Sequence, residues 1–213
     1  MRITKFGHSC VRLEHGPAVL VLDPGVFTEV EAVARATAVL VTHEHPDHFH
    51  PDHLRAARAP IVTIDSVAAR IRDEAPDLVE RTRVVAPEEL LDLGVPVRVV
   101  GREHAVIHPD LPRVHNSGYL VDLGGTRVYH PGDALIAPGE PVDVLCAPAS
   151  APWLKLSEAV DFVREVGAPR NLAIHEAIYS EAGSGIVDGH MERLNGPRGL
   201  AWSRLAAGED LVL

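Results

Sequence analysis

Aromatic side chains are scarce in this sequence: four phenylalanines, three tyrosines and two tryptophans make up 4% of 213 residues. The interior must therefore be built mainly from Val, Leu, Ile and Ala, which the 46% hydrophobic content supplies. Cysteine is scarcer still. Cys10 and Cys146 stand far apart and form no paired metal-type motif, so they are expected as buried thiols rather than a disulfide. No apolar run reaches the roughly 18 residues that a membrane helix requires. The start, Met1–Lys5, reads as a strand and lacks the apolar block of a signal peptide, so a cytoplasmic protein with no membrane partner is expected. Basic charge is in deficit. With 20 Lys and Arg against 30 Asp and Glu, the formal net charge of −10 disfavours a broad grip on phosphate backbones, and hence a nucleic-acid partner. Internal repeats, charge blocks and low-complexity linkers are also missing, and residues 1–213 read as a single domain that can bury a sizeable core.

Histidine is in excess, at 13 residues. The densest stretch is Thr42-His43-Glu44-His45-Pro46-Asp47-His48-Phe49-His50, directly after the apolar run Thr37–Val41. Imidazoles crowded at the end of a buried strand make a poor core, because every ring brings nitrogens that need partners. They make a good metal site. In an extended backbone residues i and i+2 point the same way, so His43 and His45 can converge on one ion, while Asp47 and His48 beyond Pro46 can turn toward a second. Pro51–Ala57 reads as a helix start, which places His50 and His53 on a solvated helix and outside the ligand set.

The same pattern, a strand ending in metal-type residues, recurs along the chain. Arg2–Phe6, Cys10–Glu14 and Ala18–Leu22 read as strands, the last ending in Asp23-Pro24-Gly25. Asp23 is either a turn former or a carboxylate that orients a ligand histidine. His8, in the turn Gly7-His8-Ser9, faces a similar choice between a structural and a site role. A short helix is expected over Glu29–Ala36. Strand Ile61–Ile64 leads into a helix Val67–Glu74 capped by Asp65 or Ser66, which gives an alternating β-α pattern. After strand Arg83–Val85, the strand Val95–Val100 runs on to His104, with His108 and His115 as competitors in the polar loop Ala105–Asn116. Only His104 directly continues the strand. A hairpin of Ser117–Leu123 and Thr126–Tyr129 delivers His130-Pro131-Gly132-Asp133. Strand Val142–Cys146, a helix Glu158–Val166 capped by Ser157, and strand Asn171–Ile174 ending in His175 follow. A glycine-rich turn near Gly183–Gly185, a helix around Arg198–Ala206 and a strand Leu211–Leu213 are expected to complete the chain.

His43-Glu44-His45-Pro46-Asp47-His48 after a strand, then a lone histidine, then Gly132-Asp133 after a hairpin and a last histidine after a strand, resembles the metallo-β-lactamase superfamily. Gly7-His8-Ser9-Cys10, Leu22-Asp23-Pro24 and Val128–Asp133 look like its branch of metal-dependent hydrolases that contains the ascorbate-6-phosphate lactonase. The resemblance spans residue 1 to about residue 180. It implies an α/β protein, a four-layer αββα sandwich of two mixed sheets with helices on the outer faces and the site along one edge. It also implies two divalent metal ions, zinc by default and manganese or iron as options. His43, His45 and His104 would hold one ion, Asp47, His48 and His175 the other, and Asp133 would bridge them. The expected activity is attack by metal-activated water on a small ester, lactone or phosphodiester, with Asp47 orienting the nucleophile or passing its proton on. His8, His130 and His190 are candidate substrate contacts, and Asp23 a candidate support for a ligand. Two departures stand out. Ala134 replaces the Thr or Ser that often follows Gly-Asp, and Ala149–Lys155, with Trp153, replaces a glycine-rich segment, so the pocket wall is expected to differ. The partner is a small-molecule substrate, with a homo-oligomer possible. Competing readings are iron-dependent redox chemistry on the same fold and a non-catalytic metal-binding protein that works through partners.

Overall fold

The computed structural model describes residues 1–213. Six strands in chain order form the first sheet: β1 (Arg2–Lys5), β2 (Val11–His15), β3 (Ala18–Leu22), β4 (Ala38–Leu40), β5 (Ile61–Thr63) and β6 (Thr82–Val84). β1 to β3 pair antiparallel, and β3 to β6 pair parallel. Seven strands form the second sheet: β7 (Leu90–Asp92), β8 (Pro96–Val100), β9 (Gly118–Asp122), β10 (Arg127–His130), β11 (Val144–Pro148), β12 (Arg170–Ile174) and β13 (Ala201–Ser203). Here β7 to β10 are antiparallel and β10 to β13 parallel. Each half thus runs from antiparallel strands into parallel ones. The helices α1 (Pro51–Ala57) and α2 (Asp65–Glu74) belong to the first half, α3 (Leu156–Val166) and α4 (Glu181–Asn195) to the second.

Alternation along the strands builds three apolar layers. Val11 and Leu13, Leu20 and Leu22, and Leu40 meet Val97 and Val99, Tyr119 and Val121, Val144 and Cys146, and Leu172 and Ile174 between the sheets. The intervening residues face outward. Val21, Val39 and Ile61 pack under α1 and α2 with Leu54, Val67 and Ile71, while Leu145, Ala147 and Ala173 pack under α3 and α4 with Phe162, Val163 and Met191. Central strands buried on both faces explain the continuous apolar runs in the sequence. Each fully buried Leu or Ile contributes on the order of 2 kcal/mol. The result is the expected αββα sandwich, and Cys10 and Cys146 are free, buried thiols. No helix is long and apolar enough to cross a membrane.

Several local expectations are corrected. The glycine-rich turn at Gly183–Gly185 lies inside α4, whose start is fixed by Ser180 Oγ accepting the Gly183 N–H. Glycines cost about 1 kcal/mol each in a helix, but Ser184, Val187, Met191 and Asn195 recur at helical spacing as a buried stripe and outweigh that cost. The helix expected over Arg198–Ala206 is a 3₁₀ turn, Gly196–Arg198, followed by β13, which extends the sheet beside β12. Leu211–Leu213 is not a strand, although Asp210 bridges to Thr4 and the Leu211 N–H bonds Ile3. The short edge strand β7 was not anticipated. Neither Asp65, Ser66 nor Ser157 is the cap residue: α2 and α3 begin earlier, with Ile64 and Lys155 at their cap positions, although Asp65 Oδ1 accepts the Ser66 N–H in the first turn of α2.

Strand direction decides where the chemistry goes. β1 runs parallel to β3 and β4, and β8 runs with β10, β11 and β12. Their carboxyl ends carry His8, Asp23, His43–His48, His104, Asp133 and His175 to one edge of the sandwich.

Candidate metal centre

The edge holds two groups of donor atoms, each lying mutually within 4.8 Å: His43, His45, His104 and Asp133, and His8, Asp47, His48 and His175. Asp133 lies between them. Its Oδ2 is 3.3 Å from His104 Nε2, 3.8 Å from His43 Nε2 and 3.2 Å from His175 Nε2, while its Oδ1 is 3.1 Å from His48 Nε2. His175 Nε2 also stands 3.1 Å from Asp47 Oδ2. All of these side chains are buried except His45 and Asp47, which are half-buried.

Hydrogen bonds behind the rings fix which nitrogen faces inward. Nδ1 of His48 donates to Asp23 Oδ2 at 2.7 Å, Nδ1 of His104 to the Ala105 carbonyl at 2.6 Å, and Nδ1 of His175 to the Ser150 carbonyl at 2.6 Å. The Thr42 hydroxyl gives its hydrogen to Asp23 Oδ2 at 2.7 Å and so accepts from His43 Nδ1 at 3.0 Å. In each case Nδ1 carries a proton and Nε2 faces the cluster, the orientation that metal-ligating histidines use. His104 Nε2, His175 Nε2 and Asp133 Oδ1 have no hydrogen-bond partner although buried. Buried polar atoms left unpaired and converging on one point fit a cation.

The charge balance agrees. Burial opposes ionisation of Asp133 and Asp47, yet His48 and His175 beside the first, and His175 and His8 beside the second, hold both well below the usual carboxylate range. Burial likewise opposes charge on His48 and His175, but the carboxylates outweigh it. His48 is held well above the ordinary imidazole value by Asp133 and Asp23, and His175 is raised to about 9, chiefly by Asp133. Burial pushes His43 well below that value and lowers His45. The buried acids need positive charge at this point, and a divalent cation supplies it.

The remaining candidates sort by contact. His8 accepts the Ala177 N–H on Nδ1 and therefore donates from Nε2 to Asp47 Oδ2 at 3.1 Å; burial lowers its pKa to about 4, so the ring is neutral and holds Asp47. Asp23 is fully buried and takes the Thr42 N–H, the Thr42 hydroxyl and His48, so it supports one ring in each cluster. His108 is exposed beside Asp110, and His115 bonds Asp65, which leaves His104 as the histidine of that loop inside the cluster. His50 and His53 sit at α1, the latter bonded to the Pro24 carbonyl. Two expectations are corrected. His130 is buried with both nitrogens occupied, by the Ser9 carbonyl and the Gly132 N–H, and reaches no substrate. His190 lies on α4, bonded to the Ile186 carbonyl one turn back, and stands in neither donor group.

Some supporting residues escaped the sequence reading. Thr42, Ser150 and Asn116 hold the cluster, Asn116 by accepting the Asp133 N–H and donating to the Pro131 carbonyl. That bond restrains Asp133 where Ala134 offers no hydroxyl. Asn116 had a faint signal in being the last polar residue before a strand. Backbone strain marks the site as well: His8, Asp23 and His175 adopt left-handed φ values of 58°, 48° and 62°, which cost non-glycine residues of order 1 kcal/mol or more and cluster at working sites. Gly132 is also left-handed, and a Cβ there would collide with Asn116 Oδ1 and Thr42 Oγ1.

Two mixed sheets packed face to face, helices outside, and histidine and aspartate donors at one edge define the metallo-β-lactamase fold. The chain belongs to this superfamily: the family model described as Beta-lactamase superfamily domain matches residues 2–175. It is 42% identical over 201 residues to Protein Rv0786c of Mycobacterium tuberculosis, covering 91% of this chain and 92% of that protein. A UPF0173 metal-dependent hydrolase of Methanospirillum hungatei is 27% identical over 148 residues, 62% of this chain and 59% of its own length. Among solved structures, Igni18, a metallo hydrolase from Ignicoccus hospitalis, superposes with a TM-score of 0.75 at 15% identity, covering 99% of this chain and 97% of that one.

Proposed function

We propose that the protein is a metal-dependent hydrolase with two adjoining metal positions. His43, His45 and His104 would hold one ion, Asp47, His48 and His175 the other, with Asp133 between them. The observation that carries this reading is the convergence of the Nε2 atoms of His104 and His175, fixed from behind and unpaired in front, on a single buried carboxylate, Asp133, which His43 and His48 also approach. Membership of the superfamily and the relative called a metal-dependent hydrolase support it. Bound divalent ions lower the pKa of a coordinated water and polarise a carbonyl or phosphoryl oxygen.

The chain's own residues do the rest. Asp47, tied to His8 and held ionised, accepts a hydrogen bond and orients the nucleophile; its low pKa makes it a better orienter than proton donor. Asp23 keeps His48 and, through Thr42, His43 in the tautomer that presents Nε2. Nitrogen and oxygen donors without thiolate suit zinc, manganese or iron, and zinc is the proposed resident. Small esters, lactones and phosphodiesters are the substrate classes, lactones drawing added support from the motif likeness to the ascorbate-6-phosphate lactonase branch. A reducing, cytoplasmic setting suits the two free buried thiols.

The test is elemental analysis of purified protein together with a metal-supplemented panel of esters, lactones and phosphodiesters. About two ions per chain and metal-dependent hydrolysis are expected. No bound metal, or full hydrolysis after chelation, would overturn the reading. Oxygen consumption by iron-loaded protein without hydrolysis would favour redox chemistry instead.

A further inference from the structure

The loops that carry the donor atoms also carry exposed apolar side chains. Val26 and Phe27 follow β3, Ile107 follows β8, and Ile178 and Tyr179 follow β12, each 39 to 47% exposed. Half-buried Trp153 follows β11. In a chain with four phenylalanines, three tyrosines and two tryptophans, one of each stands on these loops. Folding gains nothing from leaving large apolar groups in water, and their place on the loops that carry the donor atoms marks the rim of that cluster, its mouth, as a binding surface.

Trp153 is placed to use it. Its ring lies edge-on to His104 at 5.2 Å and to His175 at 6.3 Å, so it reaches one ring from each donor group. Beyond His175 the row continues through His8, 4.1 Å away, to Phe27, a further 5.0 Å on. Aromatic surface therefore flanks the donor atoms on both sides.

Free cationic charge is sparse around this mouth. Lys5 is fully buried in an ion pair with Glu176 at 2.8 Å. Arg113 bonds the His104 carbonyl and Glu103, and Arg70 bonds the Glu44 carbonyl and Glu74. Arg102 is exposed and makes no ion pair, and Lys155 has Glu158 at 3.7 Å. Beyond the proposed ions themselves, a phosphoryl substrate would be held best by uncommitted cations, above all bidentate arginine.

We propose that the substrate is a neutral ester or lactone bearing an apolar group of several carbons that lies against Trp153, and that Trp153 sets specificity. This rests on the hydrolase reading. Water adds across the acyl bond: a new C–O bond forms at the carbonyl carbon and the bond to the alkoxy oxygen breaks. That oxygen leaves with a proton, giving an alcohol and a carboxylate with one proton released.

The experiment has a binding arm and a turnover arm. Straight-chain carboxylates from acetate to decanoate, which mimic the product, are titrated calorimetrically into zinc-loaded protein; γ-lactones from butyrolactone to decalactone and bis(p-nitrophenyl) phosphate are assayed for hydrolysis. Affinity and kcat/KM are expected to rise about fourfold per buried methylene until the mouth is filled. Trp153→Ala should flatten both slopes with metal content unchanged, Trp153→Phe should restore part of them, and Trp202→Phe, whose indole bonds Asp188 on the far helix, should leave them intact. Chain-length-independent binding, or an unaltered slope in Trp153→Ala, would overturn the proposal, as would preference for the phosphodiester. Chain-length-dependent binding without hydrolysis of any substrate would uphold the apolar surface and sink the hydrolase reading.

Discussion

Replacing Asp23 by Asn tests the centre at its most informative point, because this fully buried carboxylate touches no proposed ion position and yet supports two ligand rings. Oδ1 takes the Thr42 N–H at 2.8 Å; Oδ2 takes the Thr42 hydroxyl and His48 Nδ1, each at 2.7 Å. Asn has one acceptor oxygen. With it at the Oδ1 position, the amide NH₂ opposes the His48 Nδ1–H; flipped, it opposes the Thr42 N–H. Either way a buried donor loses its partner, at a cost of about 1–3 kcal/mol. If His48 relieves the clash by moving its proton to Nε2, the lone pair aimed at Asp133 is lost. Loss of such an orienting partner lowers metal affinity by about 10- to 100-fold, or about 1.4–2.8 kcal/mol. Zinc affinity measured by competition with a chromophoric chelator should fall by this factor, mainly at the position served by His48. Thr42→Val, which cuts only the link from Asp23 to His43, should weaken the other position. A folded Asp23→Asn protein with wild-type affinity at both positions would refute the reasoning.

Further outcomes follow from the same contacts. His104→Ala should lose about half the bound metal, whereas His108→Ala and His115→Ala should keep it; full occupancy in His104→Ala by elemental analysis would contradict the assignment. Gly132→Ala introduces a Cβ against Asn116 and Thr42 at a φ of 61°, and should lower stability by about 2–4 kcal/mol in urea titrations while abolishing metal binding. In metal-free protein His175, with a folded pKa of about 9 above an unfolded value near 6.5, contributes stability that is complete below about pH 6.5 and lost as pH rises through 9. The melting temperature after chelation should therefore fall across that window, and less so in His175→Asn.

How much was legible depended on whether the signal was local. The run His43–His48 reads directly, because strand, turn and four donors lie within a few residues. Asp133 and His175 read as strand ends, since Gly132 and the apolar Asn171–Ile174 mark them. The roles of His8, His130 and His190 were not legible, because a histidine's role depends on what occupies its second nitrogen. His8 meets Ala177 and His130 meets Ser9 only after both sheets assemble. Thr42 was visible as a residue but not as the link between Asp23 and His43, a contact made across β3 and β4. The α4 helix was misread because its glycines are a local signal, while the buried stripe that overrides them depends on docking against the second sheet. The two halves show no sequence repeat yet share one topological plan, since strand direction is maintained by many interchangeable apolar residues.

That plan divides the centre between halves. The first sheet brings Asp23, His43, His45, Asp47 and His48; the second brings His104, Asp133 and His175. Neither half can complete either donor group as proposed, and the bonds that join the halves at this edge surround the donor atoms: Ser117 N–H to the Thr42 carbonyl, His175 N–H to the His8 carbonyl, His130 Nε2 to the Ser9 carbonyl, Ala177 N–H to His8 Nδ1, Lys5 to Glu176, His115 to Asp65 and the Tyr119 hydroxyl to the Val41 carbonyl. Metal binding is thus coupled to the docking of the two sheets, and an ion that binds only the docked state stabilises it by mass action. At free zinc one hundred times the dissociation constant, a single position contributes about 2.7 kcal/mol. For a chain of this size each kcal/mol moves the melting temperature by about 2–4 °C, so zinc should raise it by about 5–11 °C over the chelated protein. The measurement is differential scanning calorimetry at several free-zinc concentrations. A melting temperature that does not move with zinc, in protein shown to bind it, would mean that the unfolded chain binds the ion as well as the folded one does, and that docking of the two sheets does not create its site.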